Sequence, residues 1–226
     1  MALYPRLPAD LQSQLKELIL VFLSEKTFEG CGGMTVDDEI RVTVAGQACL
    51  LLLNRETDFY PTLKTILIYP SSYAHPDDDA IMLGESWQYG PVVLSWDSAK
   101  QGAVNPRDGH DVTIHEFAHQ LDQIDGVADG APGLGRSLSF KERVQRYKAW
   151  SAVFQKEFEE HQRQVERRRK TVIDEYGAKD PAEFFATSTE AFFEKARALQ
   201  EKHPELYSEL KTFYKLDPVA WNENSD

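Results

Sequence analysis

Two histidines four residues apart, with a glutamate directly after the first, constrain this chain more than any other feature: His115-Glu116-Phe-Ala-His119. On an α-helix, residues i and i+4 share a face, so both imidazoles can reach one metal ion. The fold must therefore place a helix here, with that face open to a cleft. Glu116 sits one position round from the first histidine, where its carboxylate can take a proton from an attacking water. Ile114, Phe117, Ala118 and Leu121 supply an apolar stripe for the other side of the helix. With six histidines in 226 residues, chance produces this pattern on the order of once in a hundred such chains. The pattern reads as a zinc (Zn2+) hydrolase site rather than as coincidence.

A catalytic zinc usually takes three protein ligands, so one is missing from this helix. The residues leave four candidates. Asp125, six after His119, copies the spacing of the extended metzincin motif, but Asp122 stands where that motif turns on a glycine. Cys31 lies in Glu-Gly-Cys-Gly-Gly, which is similar to the metal-binding stretch of peptide deformylases, though far upstream. Glu183 and Glu190 differ by seven and share one face of a downstream helix rich in phenylalanine. A carboxylate buried there needs a partner. Asp122, three after His119, could accept a ring N–H from a ligand histidine and fix its tautomer, or could simply be solvated.

Around this motif the chain divides. Residues 9–26 read as an amphipathic helix, 40–44 as a short strand by alternation, and 47–54 as a buried helix. Thr65–Tyr69 and 90–97 read as strands, separated by a polar loop with Asp77, Asp78 and Asp79. Helices follow at 111–124, from Ser139 to about Ile173, from Asp180, and at 204–214, with a glycine-rich loop over 125–138. Ser139 with Glu142 forms a capping-box start, and Asp180 with Pro181 an N-cap and first turn. Strands early and helices late indicate an α+β fold, expected as one domain over residues 1–226.

Composition removes other classes. A net charge of -12 argues against nucleic acid as the main partner. The basic run Arg167-Arg-Arg-Lys170 reads as a solvated helix face. No apolar run approaches a membrane span, and the start carries no signal-peptide pattern. Two cysteines without a Cys-x-x-Cys pair fit a reducing cytoplasm. The expected partners are a peptide substrate, with no nucleic acid and no membrane.

Three stretches carry a resemblance: 90–96 (Gly-Pro-Val-Val-Leu-Ser-Trp), 114–122 around the two histidines, and 180–186 (Asp-Pro-Ala-Glu-Phe-Phe-Ala) followed by Glu190-Ala-Phe-Phe193. Together they resemble the bacterial Mlc titration factor A family of zinc peptidases, whose catalytic region is similar to that of anthrax lethal factor. The resemblance implies a zincin-like metallopeptidase domain of the gluzincin type. It implies His115, His119 and Glu183 as zinc ligands, Glu116 as general base and Tyr176 as oxyanion stabiliser. It also implies aminopeptidase-type activity and, in enterobacteria, binding of a transcription repressor protein. Glu183 would lie in the first turn of its helix, where the dipole favours an ionised carboxylate. Glu190, two turns further in, would brace a ligand or a neighbouring loop.

The expectation is a cytoplasmic zinc peptidase. Its rivals are a regulatory binding protein that sequesters a transcription repressor, and a deformylase-like hydrolase using Cys31. The strand over Val92–Trp96 is expected to line the cleft and pair with extended substrate.

Overall fold

The computed structural model describes residues 1–55, 59–75, 78–82, 84–86, 90–134 and 139–221. In chain order the elements are α1 (Ala9–Glu25), β1 (Thr27–Gly30), α2 (Asp38–Leu50), β2 (Thr65–Tyr69), β3 (Tyr73–His75), β4 (Asp78–Met82), β5 (Gly84–Ser86), β6 (Val92–Ser95) and α3 (Trp96–Val104). Then follow α4 (Val112–Asp122), α5 (Phe140–Glu166), α6 (Pro181–Glu194), α7 (Ala196–Lys202), α8 (Pro204–Tyr214) and α9 (Pro218–Trp221). Short 3-10 turns sit at Tyr4–Arg6, Gln123–Asp125 and Glu175–Ala178. The architecture is mixed α+β, a small sheet set among many helices. Among the described residues no helix is long and apolar enough to cross a membrane.

The sheet runs β1-β2-β6-β5. β1, β2 and β6 are parallel, and β5 returns antiparallel on β6. β2 buries Ile66 and Ile68 on one face, the alternation its sequence announces. All four residues of β6 are buried, as expected for a strand covered on both faces. β6 is therefore an interior strand, paired on both sides. The expectation that it lines the cleft and binds extended substrate fails, because its backbone groups are already spent on β2 and β5. β5 is the edge strand instead.

Three further readings need correction. Residues 40–44 are helical, not a strand. Asp37 caps α2 by accepting from the Ile40 N–H at 2.9 Å, and Ile40, Val44 and Ala48 are buried at helical spacing. Val42, which a strand would bury with them, is 49% exposed. The apolar run 48–53 is buried throughout, but α2 ends at Leu50 and the rest is turn. The Asp-rich stretch holds the hairpin β3–β4 rather than a plain loop; Asp77 lies outside the described residues.

α5 starts on the expected Ser139–Glu142 capping box but stops at Glu166, not near Ile173. Arg168 adopts a left-handed φ of 52°, its N–H bonds to Val165 O, and Arg169 N–H reaches back to Gln164 O. This is a Schellman stop with arginine where glycine is usual, so no glycine marks it in the sequence. The basic run 167–170 is exposed, as read, but lies beyond the helix.

One hydrophobic cluster joins these elements. Phe184 and Phe185 of α6 pack on Trp150, Phe154 and Phe158 of α5, while Phe192 and Phe193 pack on Tyr207 and Tyr214 of α8. Each fully buried phenylalanine contributes about 1.5–3 kcal/mol. That anchorage holds α6 rigidly against the rest of the protein and lets its remaining face carry charge.

Candidate metal centre

α4 and α6 meet along their polar faces. α4 buries Ile114, Phe117, Ala118 and Leu121 and begins on Asp111, whose side chain accepts from the Thr113 and Ile114 N–H groups, both at 3.0 Å. Gln47 of α2 donates its amide to the other oxygen of Asp111. With that face buried, His115 and His119 turn toward α6. α6 starts on Asp180, which accepts from the Glu183 N–H at 2.9 Å. It carries Glu183, Glu190 and Glu194 down one stripe, all buried.

Three donor atoms converge. Glu183 Oε2 lies 3.0 Å from His115 Nε2 and 3.2 Å from His119 Nε2, and the two Nε2 atoms are 3.2 Å apart. Glu190 Oε1 lies 2.7 Å from His115 Nδ1. A carboxylate only accepts, so the ring proton belongs on Nδ1 and the Nε2 lone pair faces Glu183. Lone pairs facing one another at such distances need a cation or a proton between them. Two imidazole nitrogens and one carboxylate oxygen form a donor set that suits a divalent metal ion.

Burial disfavours a charged His115, but Glu183 and Glu190 outweigh it and hold the ring's pKa well above the usual imidazole range. Burial likewise pushes Glu183 up, and the two histidines overcome it, leaving this carboxyl well below the usual range. Metal and proton thus compete for the same imidazoles.

The other carboxylates of the stripe grip backbone. Glu190 Oε2 accepts from the Asp111 N–H at 2.6 Å. Glu194 Oε2 accepts from Gly109 and His110 N–H at 2.8 and 3.1 Å. Both tie α6 to the segment that launches α4. Burial raises Asp111 to about 7 and Glu194 to about 9, with neighbouring carboxylates adding to the push on each.

Glu116 is buried on the opposite flank, beneath β5. A Cβ added at Gly84 would meet Glu116 Oε1 at 2.8 Å and Val112 Cγ2 at 2.6 Å, so only glycine lets the strand lie so close. Gln120 secures the same strand by donating to Ser86 Oγ at 2.7 Å. Burial raises the Glu116 pKa, and the two histidines pull it back in part.

Tyr176 stands on the turn Glu175–Ala178, half exposed, its ring 6.2 Å from that of His115. Asp174 caps that turn, accepting from the Tyr176 N–H at 2.8 Å, and pairs with His110 at 3.3 Å. Lys179 Nζ lies 3.0 Å from both Tyr176 Oη and Glu183 Oε1. All of these line one cleft of about 870 Å³ between β5, α4 and α6.

The cleft therefore brings together His115, Glu116, His119, Tyr176, Glu183 and Glu190. Asp122 lies elsewhere: fully buried, it accepts from the Gly130 N–H at 2.9 Å, and Gly130 in turn packs on Pro181 at the start of α6. Asp125 falls in the turn after α4, and its side chain lies outside what is described. Cys31 follows β1, at the opposite edge of the sheet from β5, and is remote from the cleft. Sequence reasoning did not reach Gly84, His110, Asp174, Lys179 or Glu194. Of these, Glu194 and Lys179 had a signal, since each stands four residues from a candidate ligand or its brace.

A family model described as glucose-regulated metallo-peptidase M90 matches residues 1–215. The chain belongs to this family. The chain is 39% identical over 228 residues to an uncharacterized protein, slr2042, of Synechocystis sp., covering 96% of this chain and 80% of that one. It is 29% identical over 222 residues to Mlc titration factor A of Escherichia coli, covering 92% and 80%. The Serratia proteamaculans protein of the same name is 27% identical over 229 residues, covering 94% and 84%. The M90 match and the His115, His119, Glu183 cluster agree in pointing to a metal-dependent peptidase site.

Proposed function

We propose that this chain is a cytoplasmic zinc metallopeptidase with a zincin-like arrangement, in which His115, His119 and Glu183 hold the metal. What carries the reading is the convergence of those three donor atoms beside the buried carboxylate of Glu116. Bound there, zinc supplies Lewis acidity, polarising a scissile carbonyl and making water acidic enough to lose its proton near neutral pH. Glu116 accepts that proton and returns it to the departing amine. Burial raises the proton affinity of this carboxylate, which favours its taking up that proton. Tyr176 Oη donates to the negative charge that develops on the carbonyl oxygen. Glu190 fixes the His115 ring, and Asp122 holds Gly130, which packs against the start of α6, rather than a ring.

An aminopeptidase-type specificity is supported by the carboxylates of Glu85, Asp108, Asp174 and Asp180 around the cleft, which favour a substrate's N-terminal ammonium. Zinc content and hydrolysis of aminoacyl chromogenic substrates, measured with and without chelator, test this. About one zinc per chain and chelator-sensitive hydrolysis that zinc restores are expected. Metal-free protein hydrolysing at the same rate under chelator overturns it.

A second reading follows from the relatives named Mlc titration factor A: sequestration of a transcription repressor. A Glu116→Gln protein that still binds a repressor but hydrolyses nothing would show the two roles to be separable.

A further inference from the structure

Lys179 is the one lysine or arginine among the described residues that line the cleft. It follows the turn that carries Tyr176 and stands four residues before Glu183. Its ammonium reaches both at 3.0 Å. The backbone sets that reach: Lys179 N–H closes the turn on Tyr176 O at 3.1 Å, and the next residue, Asp180, caps α6. Gly177, between them, packs so tightly on α6 that an added Cβ would meet Thr187 Oγ1 at 2.3 Å. The turn and the helix start therefore sit in one fixed relation, and Lys179 spans it.

The donor inventory gives this bridge a consequence. An ammonium only donates. Tyr176 Oη therefore accepts from Lys179, and its own hydrogen is left for another acceptor. An adjoining positive charge also makes that hydroxyl a stronger donor. At the other end, Lys179 takes Glu183 Oε1, while Oε2 faces the two imidazoles. The carboxylate is thus held from one oxygen and offers the other.

We propose that Lys179 is a positioning residue that locks Glu183 into one-oxygen ligation and aims the Tyr176 hydroxyl, coupling the metal ligand to the oxyanion donor. This rests on the metallopeptidase reading for its kinetic half; its metal-binding half stands on the triad alone. The competing account is an ordinary surface ion pair, since the Lys179 side chain is 56% exposed. Such a pair contributes little.

The test uses the full chain with Lys179→Met and Lys179→Arg, each alone and combined with Tyr176→Phe. Zinc retention against a competing chelator and the steady-state constants are read, with thermal unfolding of the zinc-free proteins as the folding control. Lys179→Met should weaken zinc retention and lower kcat, each by about tenfold, with KM little changed, the size seen when a ligand's support is removed. Lys179→Arg should recover most of both. In the Tyr176→Phe background the kcat loss from Lys179→Met should largely vanish, because the group it aims is gone. Zinc retention within about twofold of wild type, the scale of an exposed pair, overturns the proposal. So does a kcat loss that persists in full without the Tyr176 hydroxyl. If wild type hydrolyses no peptide, the peptidase reading fails separately, and the zinc measurement alone decides the role of Lys179.

Discussion

The floor of the cleft and its rim are built differently. The floor, where α4 meets α6, is buried and cross-tied by hydrogen bonds: Glu190 to His115 and Asp111, Glu194 to Gly109 and His110, Asp111 to its own helix start. The rim, comprising the turn of Tyr176 and strand β5, is more open: Tyr176 is half exposed and the residues of β5 are only partly buried. A buried network costs much to disturb, and an exposed one little. The floor is therefore suited to holding a metal in one geometry, and the rim to meeting substrate. Changes in the floor should appear first in zinc content, and changes at the rim in turnover.

The sharpest probe of that division is Glu116→Gln, because Glu116 belongs to a floor helix but faces the rim strand. Turnover should fall by about 10³–10⁴ with zinc content unchanged, the scale of losing a general base. Elemental analysis beside single-turnover kinetics checks it, and a fully active variant would break the assigned role. Tyr176→Phe, wholly on the rim, should cost about 10²–10³ in kcat and leave zinc in place. Metal loss in that variant would erase the distinction between the regions.

Within the floor, Glu190→Gln keeps an acceptor for the Asp111 N–H but removes the charge that orients His115. Zinc affinity should weaken by about 10- to 100-fold in a chelator competition. The smallest effect concerns Glu194. Its pKa is raised to about 9 from an ordinary value of 4.5, so the folded state holds a proton that the unfolded chain releases. Stability from that proton is complete below pH 4.5 and is lost as pH rises toward 9. Glu194→Gln cannot ionise, so its melting temperature should fall less over that window than wild type's. Parallel melting curves for the two proteins at each pH would refute this.

Legibility in the sequence follows the same boundary. α4 and α6 could be read because helix periodicity, an N-cap aspartate with proline behind it, and the spacing of His115, His119, Glu183 and Glu190 all agree. Glu190 as a brace was within reach because a buried carboxylate demands a partner. The rim could not be read. β5 has three residues and no periodic pattern, and the need for Gly84 arises only when the strand crosses Glu116. Residues 40–44 alternate like a strand, yet the cap at Asp37 and the burial spacing of Ile40, Val44 and Ala48 make them helix. α5 ends on an arginine in a left-handed conformation, which no residue type announces. Lys179 looked like any surface lysine until the turn and α6 were placed together.

The central claim, that the floor holds zinc through two imidazoles and the Glu183 carboxylate, is tested most directly by zinc-edge X-ray absorption on the zinc-loaded protein. The account predicts a light-atom shell at about 2.0–2.2 Å with imidazole scattering and no sulfur, and loss of the bound ion in Glu183→Ala. A sulfur neighbour at about 2.3 Å, or full zinc in Glu183→Ala while Asp125→Ala or Cys31→Ser loses it, would contradict that assignment.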